Sequence, residues 1–266
     1  MLMLTLARGA ITGVGKRPSA TSALPARQFV RPAARIEAER VRAYAEVCGF
    51  AAPGGRWSGA VPLTYPHVLG FPLAARIMAE RAFPLPLTGL VHTGIRISAR
   101  HGGLRVDDHP EVMVYAAELR PHRRGTEVVM VTSAQLDGEV VWEDHSTYLA
   151  RHADASAPSE RADSSAAPDP SVLPADLGRR HARVSGDYNP IHLFPLTAKP
   201  FGFSRAIAHG MWTIARCVAA AYPDAAGLSA RFRRPIPLPA TVHFAAQGPH
   251  FAVRGAAGIH LTGNVT

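Results

Sequence analysis

Apolar and polar positions divide this chain into segments of different period. From Ile36 to Val47, apolar Ile36, Val41, Tyr44 and Ala45 recur at helical spacing, and Gly49 supplies a stop. His67–Ala82 reads as a longer apolar helix, with Pro72 in its first turns. Three alternating segments follow, Leu90–Ala99, Glu111–Leu119 and Glu127–Tyr148. The last divides at Asp137-Gly138, a type I′ hairpin signal. The first half is therefore helix, helix, then antiparallel meander. In the second half, Asp176 is expected to cap a short helix reaching Val184, and residues 185–208 show no period. His209–Ala221 is apolar on most faces, as a buried helix would be. Strands are expected at Ala230–Arg233, at Thr241–Gln247 after the turn Pro-Ile-Pro-Leu-Pro, and in the tail to Thr266.

The two halves are similar in layout. One helix ends in Ala82-Phe83-Pro84 before a strand starting at Gly89-Leu90; the other ends in Ala221-Tyr222-Pro223 before Gly227-Leu228. Ala75-Arg76 and Ala215-Arg216 sit at nearly the same offset, so an internal duplication is expected. The boundaries that follow are an N-terminal arm at 1–26, a first domain at 27–151, a linker at 152–174 and a second domain at 175–266. The linker is dominated by Ala, Ser, Asp and Pro and cannot bury a core.

Composition narrows the function. Hydrophobic residues make up 47% of 266, enough for a real core. The formal charge of +9 is almost all arginine, because Lys16 and Lys199 are the only lysines. The arginines are scattered in runs no longer than two, without zinc-finger spacing or interleaved aromatics, so nucleic acid is not the expected partner. Ala10–Arg17 matches a phosphate-binding loop only at Gly15-Lys16 and is discarded. Cys48 and Cys217 lie in apolar helical contexts and are expected as buried free thiols, which fits a cytoplasmic protein. Met1–Leu6 is too short and lacks the basic flank of a signal peptide, and no apolar run reaches the ~18 residues of a membrane span.

The chemistry concentrates between Ser185 and Met211. Asp187 precedes His192 by five residues on a segment stiffened by Pro190 and Ile191. An acid and an imidazole held on one rigid segment can share a water molecule and move two protons. Gly210 opens the buried helix, where an unpaired N–H and the positive dipole end can hold a developing negative charge. His181, His192 and His209 lack HxH or HExxH spacing, so no metal site is expected. His209 is read as structural.

Ser185–His192, SGDYNPIH, followed by Gly202–Met211, GFSRAIAHGM, resembles the signature of MaoC-like (R)-specific enoyl-CoA hydratases and the related 3-hydroxyacyl-thioester dehydratases. The resemblance implies an α+β double hot-dog fold: two antiparallel sheets, each wrapped around a central helix, packed as a pseudo-dimer. It implies reversible hydration and dehydration between trans-2-enoyl and (R)-3-hydroxyacyl thioesters in fatty-acid metabolism. Asp187 and His192 are then the catalytic pair, Asn189 positions water or substrate, and Gly210 binds the thioester oxygen through its N–H. No cofactor is implied beyond the coenzyme A or acyl carrier protein that carries the acyl group. Lys199, Arg205, Arg233 and Arg234 are candidate phosphate contacts, though each taken singly reads first as an ordinary solvated charge. Between Ala51 and Glu80 there is no Asp, and the only His is His67, so the first half is expected to lack an acid–His pair and to line the acyl channel. Monomer and homodimer both fit. Two alternatives stay open: a hot-dog acyl-thioesterase, and a non-catalytic acyl-thioester-binding subunit.

Overall fold

The structure, a computed structural model, describes residues 5, 8, 9, 12, 13, 15–87, 90–151 and 170–266. Residues 152–169 of the expected linker, most of Met1–Leu6 and the Gly89 strand start lie outside the described residues.

In chain order the first half supplies β1 (Phe29–Arg31), α1 (Ala38–Cys48), α2 (Pro66–Met78), β2 (Val91–Ala99), β3 (Glu111–His122), β4 (Gly125–Leu136) and β5 (Glu139–Arg151). The second supplies β6 (Ser171–Leu173), α3 (Leu177–Ser185), α4 (Pro195–Ala198), α5 (Gly210–Ala221), β7 (Gly227–Phe232), β8 (Ala240–Gln247), β9 (His250–Gly255) and β10 (Gly258–Val265). The sequence reading missed β1 and β6, which are three residues each and too short for an alternating pattern to register. β6 falls inside the segment expected as linker: Ser171–Leu173 pair with β8.

The strands form one antiparallel sheet in the order β1-β3-β4-β5-β2-β7-β10-β9-β8-β6. Read inward from either edge, the two five-strand halves have the same order, which is the topology of a duplicated unit. The hot-dog sheets are therefore not separate. They meet edge to edge, with Ile95 opposite Ala230 and Ile97 opposite Leu228, and run on as a single surface. The meander is joined as expected at Asp137 and Gly138, both at positive φ, the conformation a type I′ turn needs.

Each half packs one central helix on its concave face. α2 lies over β3 and β4, and Gly70 allows the approach: a Cβ there would lie 2.3 Å from the Thr132 methyl. Pro66 opens α2, whereas Pro72 sits inside it, where its missing N–H leaves the carbonyl one turn back without its helical partner. α5 buries Trp212, Ile214, Ala215, Cys217 and Val218. α1 crosses to the other half and packs on α3, and Trp212 Nε1 donates to the Val47 carbonyl at 2.9 Å. Asp176 precedes α3, but its side chain makes no capping bond. Lys16 donates at 3.0 Å to the Glu80 carbonyl beyond the end of α2, where a cation suits the helix dipole. Cys48 and Cys217 are buried free thiols, and burial pushes the Cys217 thiol up to about 12. Among the described residues, no helix is long and apolar enough to cross a membrane.

Ile214 is fully buried under the second half-sheet. Ile214→Ala should lower stability by about 2–5 kcal/mol, read as a lower urea midpoint at unchanged slope.

Candidate active site

The irregular segment before α5 is shaped by local hydrogen bonds. Ser185 ends α3, and Gly186 follows in the left-handed region at φ 74°. The Asp187 N–H donates to Ser185 Oγ at 3.2 Å, and Asp187 Oδ1 accepts from the Asn189 N–H at 3.0 Å. Asn189 Oδ1 accepts from the Ile191 N–H at 3.4 Å, capping a 3₁₀ turn, Pro190–His192, that carries the imidazole. Asn189 thus builds the turn, and it also lines the cavity.

α3 braces this turn from outside. A Cβ on Gly178 would lie 1.9 Å from the His192 carbonyl oxygen, so only glycine lets the helix come this close. Arg179 Nη1 donates to the Leu193 carbonyl at 2.9 Å.

His192 Nδ1 lies 2.8 Å from the Ile207 carbonyl. A carbonyl only accepts, so Nδ1 carries the ring proton and Nε2 is left with a lone pair. The His209 ring stacks on His192 at 3.7 Å between centroids. Its Nε2–H donates to the Asp187 backbone carbonyl at 3.0 Å and lies 3.7 Å from Asp187 Oδ2. One ligand-type atom from each of Asp187, His192 and His209 falls within 4.8 Å of the others, a spacing that could also hold a cation. His209, read from sequence as structural, therefore touches both members of the expected pair.

Burial sets the protonation of the cluster. It pushes the Asp187 carboxyl up, against the attraction of His192 and the Asn189 N–H. It pushes His192 down to about 3, with the neighbouring His209 adding to the effect, and His209 down to about 4. At neutral pH both imidazoles are uncharged, and Asp187 retains its proton to higher pH than an ordinary aspartate.

Asp187, Asn189, His192, His209 and Gly210 all line one cavity of about 1240 Å³ between the halves. Gly210 is the first residue of α5, a position whose N–H has no helical carbonyl to reach. A Cβ there would lie 2.7 Å from the Phe232 ring of β7, so a larger side chain would displace the helix start. Of the expected phosphate contacts, Arg233 and Arg234 also line this cavity.

The first half departs from expectation. His67, in the first turn of α2, donates from Nδ1 to Asp144 Oδ2 at 2.7 Å. Asp144 is fully buried, and Ser146 Oγ donates to its other oxygen at 3.0 Å. An acid–His pair thus exists in this half, with the acid coming from β5 rather than from the segment before the helix. No local spacing reveals it, because its members are 77 residues apart.

The fold and this site together define a class: the chain belongs to the MaoC-like dehydratase family. The MaoC like domain matches residues 160–256. The 3-hydroxyacyl-thioester dehydratase X of Mycobacterium tuberculosis is 37% identical over 249 residues, covering 90% of this chain and 85% of that protein. The crystal structure of HtdX from the same organism superposes with TM-score 0.76 at 35% identity, over 90% of this chain and 99% of that one. A MaoC-like dehydratase from Phytophthora capsici shares the fold, with TM-score 0.72 at 15% identity over 93% of this chain and 98% of that one.

Two outcomes follow from the geometry. Gly178→Ala should shift the turn that bears His192 and lower kcat by up to about 10²-fold, measured as crotonyl-CoA hydration after a far-UV check of folding. Acid should destabilise the protein. From the ordinary histidine pKa of about 6.5 down to about 4, the unfolded chain binds protons that folded His92, His192 and His209 refuse. Stability is therefore fully present above that pH and declines as pH falls through the window. Asp187 acts in the opposite sense, between its ordinary and its raised value, but it is one group against three. Urea midpoints between pH 7 and 4.5 should fall steadily; a flat profile would contradict the burial of these rings.

Proposed function

We propose that this protein dehydrates 3-hydroxyacyl thioesters to trans-2-enoyl thioesters and catalyses the reverse hydration, with (R) configuration at C3. The observation that carries the reading is the meeting of the Asp187 carboxyl, which burial pushes up, with the His192 lone pair, in one cavity beside the Gly210 N–H.

Dehydration needs a base at C2 and an acid for the departing hydroxyl. His192 Nε2 accepts the C2 proton. As it leaves, negative charge moves onto the thioester oxygen, where the Gly210 N–H and the α5 dipole hold it. Asp187 protonates the C3 hydroxyl, which departs as water, and the enoyl double bond forms. The proton on His192 returns to Asp187 through the released water, so the pair is restored. Hydration is the same path reversed. Asn189 fixes the spacing of the pair through its backbone N–H and its cap, with its amide NH₂ left for the water or the substrate.

The carrier is coenzyme A or acyl carrier protein, and both halves of one chain build the site, so a monomer suffices. The thioester supplies the acidity of C2, and no metal or other cofactor is required. Thioester hydrolysis would instead release a free thiol, and a binding subunit would show no turnover.

Hydration of crotonyl-CoA and of longer enoyl-CoAs should be seen as loss of conjugated absorbance, giving the (R) product on chiral analysis. Asp187→Asn should lower kcat by at least about 10² and leave the fold intact. An unchanged rate would remove Asp187 from the reaction. Prolonged dialysis against a chelator should leave the rate unaltered; a loss restored by added zinc would overturn the metal-free reading.

A further inference from the structure

The reaction assigned above does not use the His67–Asp144 pair, yet the pair is costly to keep. Asp144 is fully buried on the inner face of β5. That face reads Trp142, Asp144, Ser146, Tyr148 and Ala150, all buried, where a sheet under a helix ordinarily presents apolar side chains. A buried carboxylate persists only with full hydrogen bonding, which His67 and Ser146 provide.

His67 also has an outlet. Asp144 occupies Nδ1, which leaves Nε2 as the free nitrogen, and His67 lines the cavity. On the same helix Phe71, Ala75 and Met78 line that cavity too, at intervals that keep them on one face. At 1.5 Å per residue they begin about 6 Å beyond His67 and reach about 16 Å. His67 marks the end nearer the chemistry. Its ring stacks at 6.3 Å on His92, which packs at 4.7 Å on Phe232, the side chain against Gly210. His67 is also close enough to Asp187 for the two to interact electrostatically. An acyl chain running from the reacting carbons down this channel meets His67 first and the apolar stripe afterwards.

We propose that the His67–Asp144 pair binds a hydroxyl group on the acyl chain a short way beyond the reacting carbons, so that preferred substrates carry an oxygen function there. A hydroxyl suits the site because it can donate to the Nε2 lone pair that the Nδ1 bond to Asp144 leaves facing the cavity. A plain alkyl chain leaves Nε2 without a partner once water is displaced. Sites built to bind a hydroxyl discriminate strongly against analogues lacking it. The proposal rests on the dehydratase reading and adds a substrate class to it.

The test compares trans-2-octenoyl-CoA with its 5-, 6- and 7-hydroxy derivatives as substrates for hydration. The native protein should favour at least one hydroxylated member by about 10-fold or more in kcat/KM. The double variant His67→Leu/Asp144→Asn, which avoids orphaning the buried carboxylate, should abolish that preference and keep activity on the plain substrate. His67→Gln, whose amide can still hydrogen-bond, should retain part of it. A native preference for the plain chain at every position overturns the proposal and needs no variant to fold. Loss by one common factor on all substrates in the double variant also overturns it, since that pattern belongs to a role in the reaction or the fold. If no thioester in the panel is hydrated, it is the dehydratase reading that fails instead.

Discussion

The hydrogen bond from His192 Nδ1 to the Ile207 carbonyl governs what this site can do. It decides which nitrogen faces the cavity and whether that nitrogen presents a lone pair. The acceptor is itself fixed. The Ile207 N–H donates back to the Ile191 carbonyl at 3.0 Å, and the Ala208 N–H donates to the Ile236 carbonyl at 2.9 Å. The imidazole is therefore held by backbone on both sides of the irregular segment, while Gly178 lets α3 press on it from behind. A loop without regular structure becomes as rigid as an element, which is what a proton-transfer geometry demands.

The duplicated fold explains why such a segment can be supported at all. The two halves share their order of elements, but the stretch between the paired helices differs. In the second half, residues 186–209 form the turn-rich segment that carries Asp187 and His192. In the first, residues 49–65 lead more directly into α2, which begins with Pro66 and His67. One half thus offers the Asp187–His192 pair and the other offers a helix face to enclose it. Joining the sheets through β2 and β7 places Phe232, Gly210 and His92 at the junction, so the cavity spans both halves.

Much of this was legible in the sequence because it is local. Asp187, Asn189, His192 and Gly210 fall within one short stretch, the Asp137-Gly138 turn is encoded by its two residues, and α1 ends at the Gly49 that adopts the left-handed conformation. What the sequence concealed depends on pairing across distance. β1 and β6 exist only because β3 and β8 offer edges to them. The continuity of the two sheets depends on β2 meeting β7, and strand pattern carries no mark of that meeting. The His67–Asp144 pair is the clearest case. In sequence His67 is the lone histidine between Ala51 and Glu80, and its partner lies 77 residues away on β5. The signal available was the run Trp142, Asp144, Ser146, Tyr148, which puts polar groups on every second position of a strand otherwise expected to face a core.

The energetic character of the chamber is unusual for a core. Both ring nitrogens of His181, Nδ1 of His209 and Nε2 of His92 are buried without a hydrogen-bond partner, and His181 packs directly on His209. Each such group costs stability, because it has left water without recompense. The same desolvation is what the proposed chemistry needs. It keeps His192 neutral far into the acid range and pushes the Asp187 carboxyl up. The unfavourable burial and the shifted titration of these groups are therefore one physical effect. The large apolar core around α2 and α5 offsets it, and this is why the reacting groups sit against the start of a buried helix rather than on an open surface.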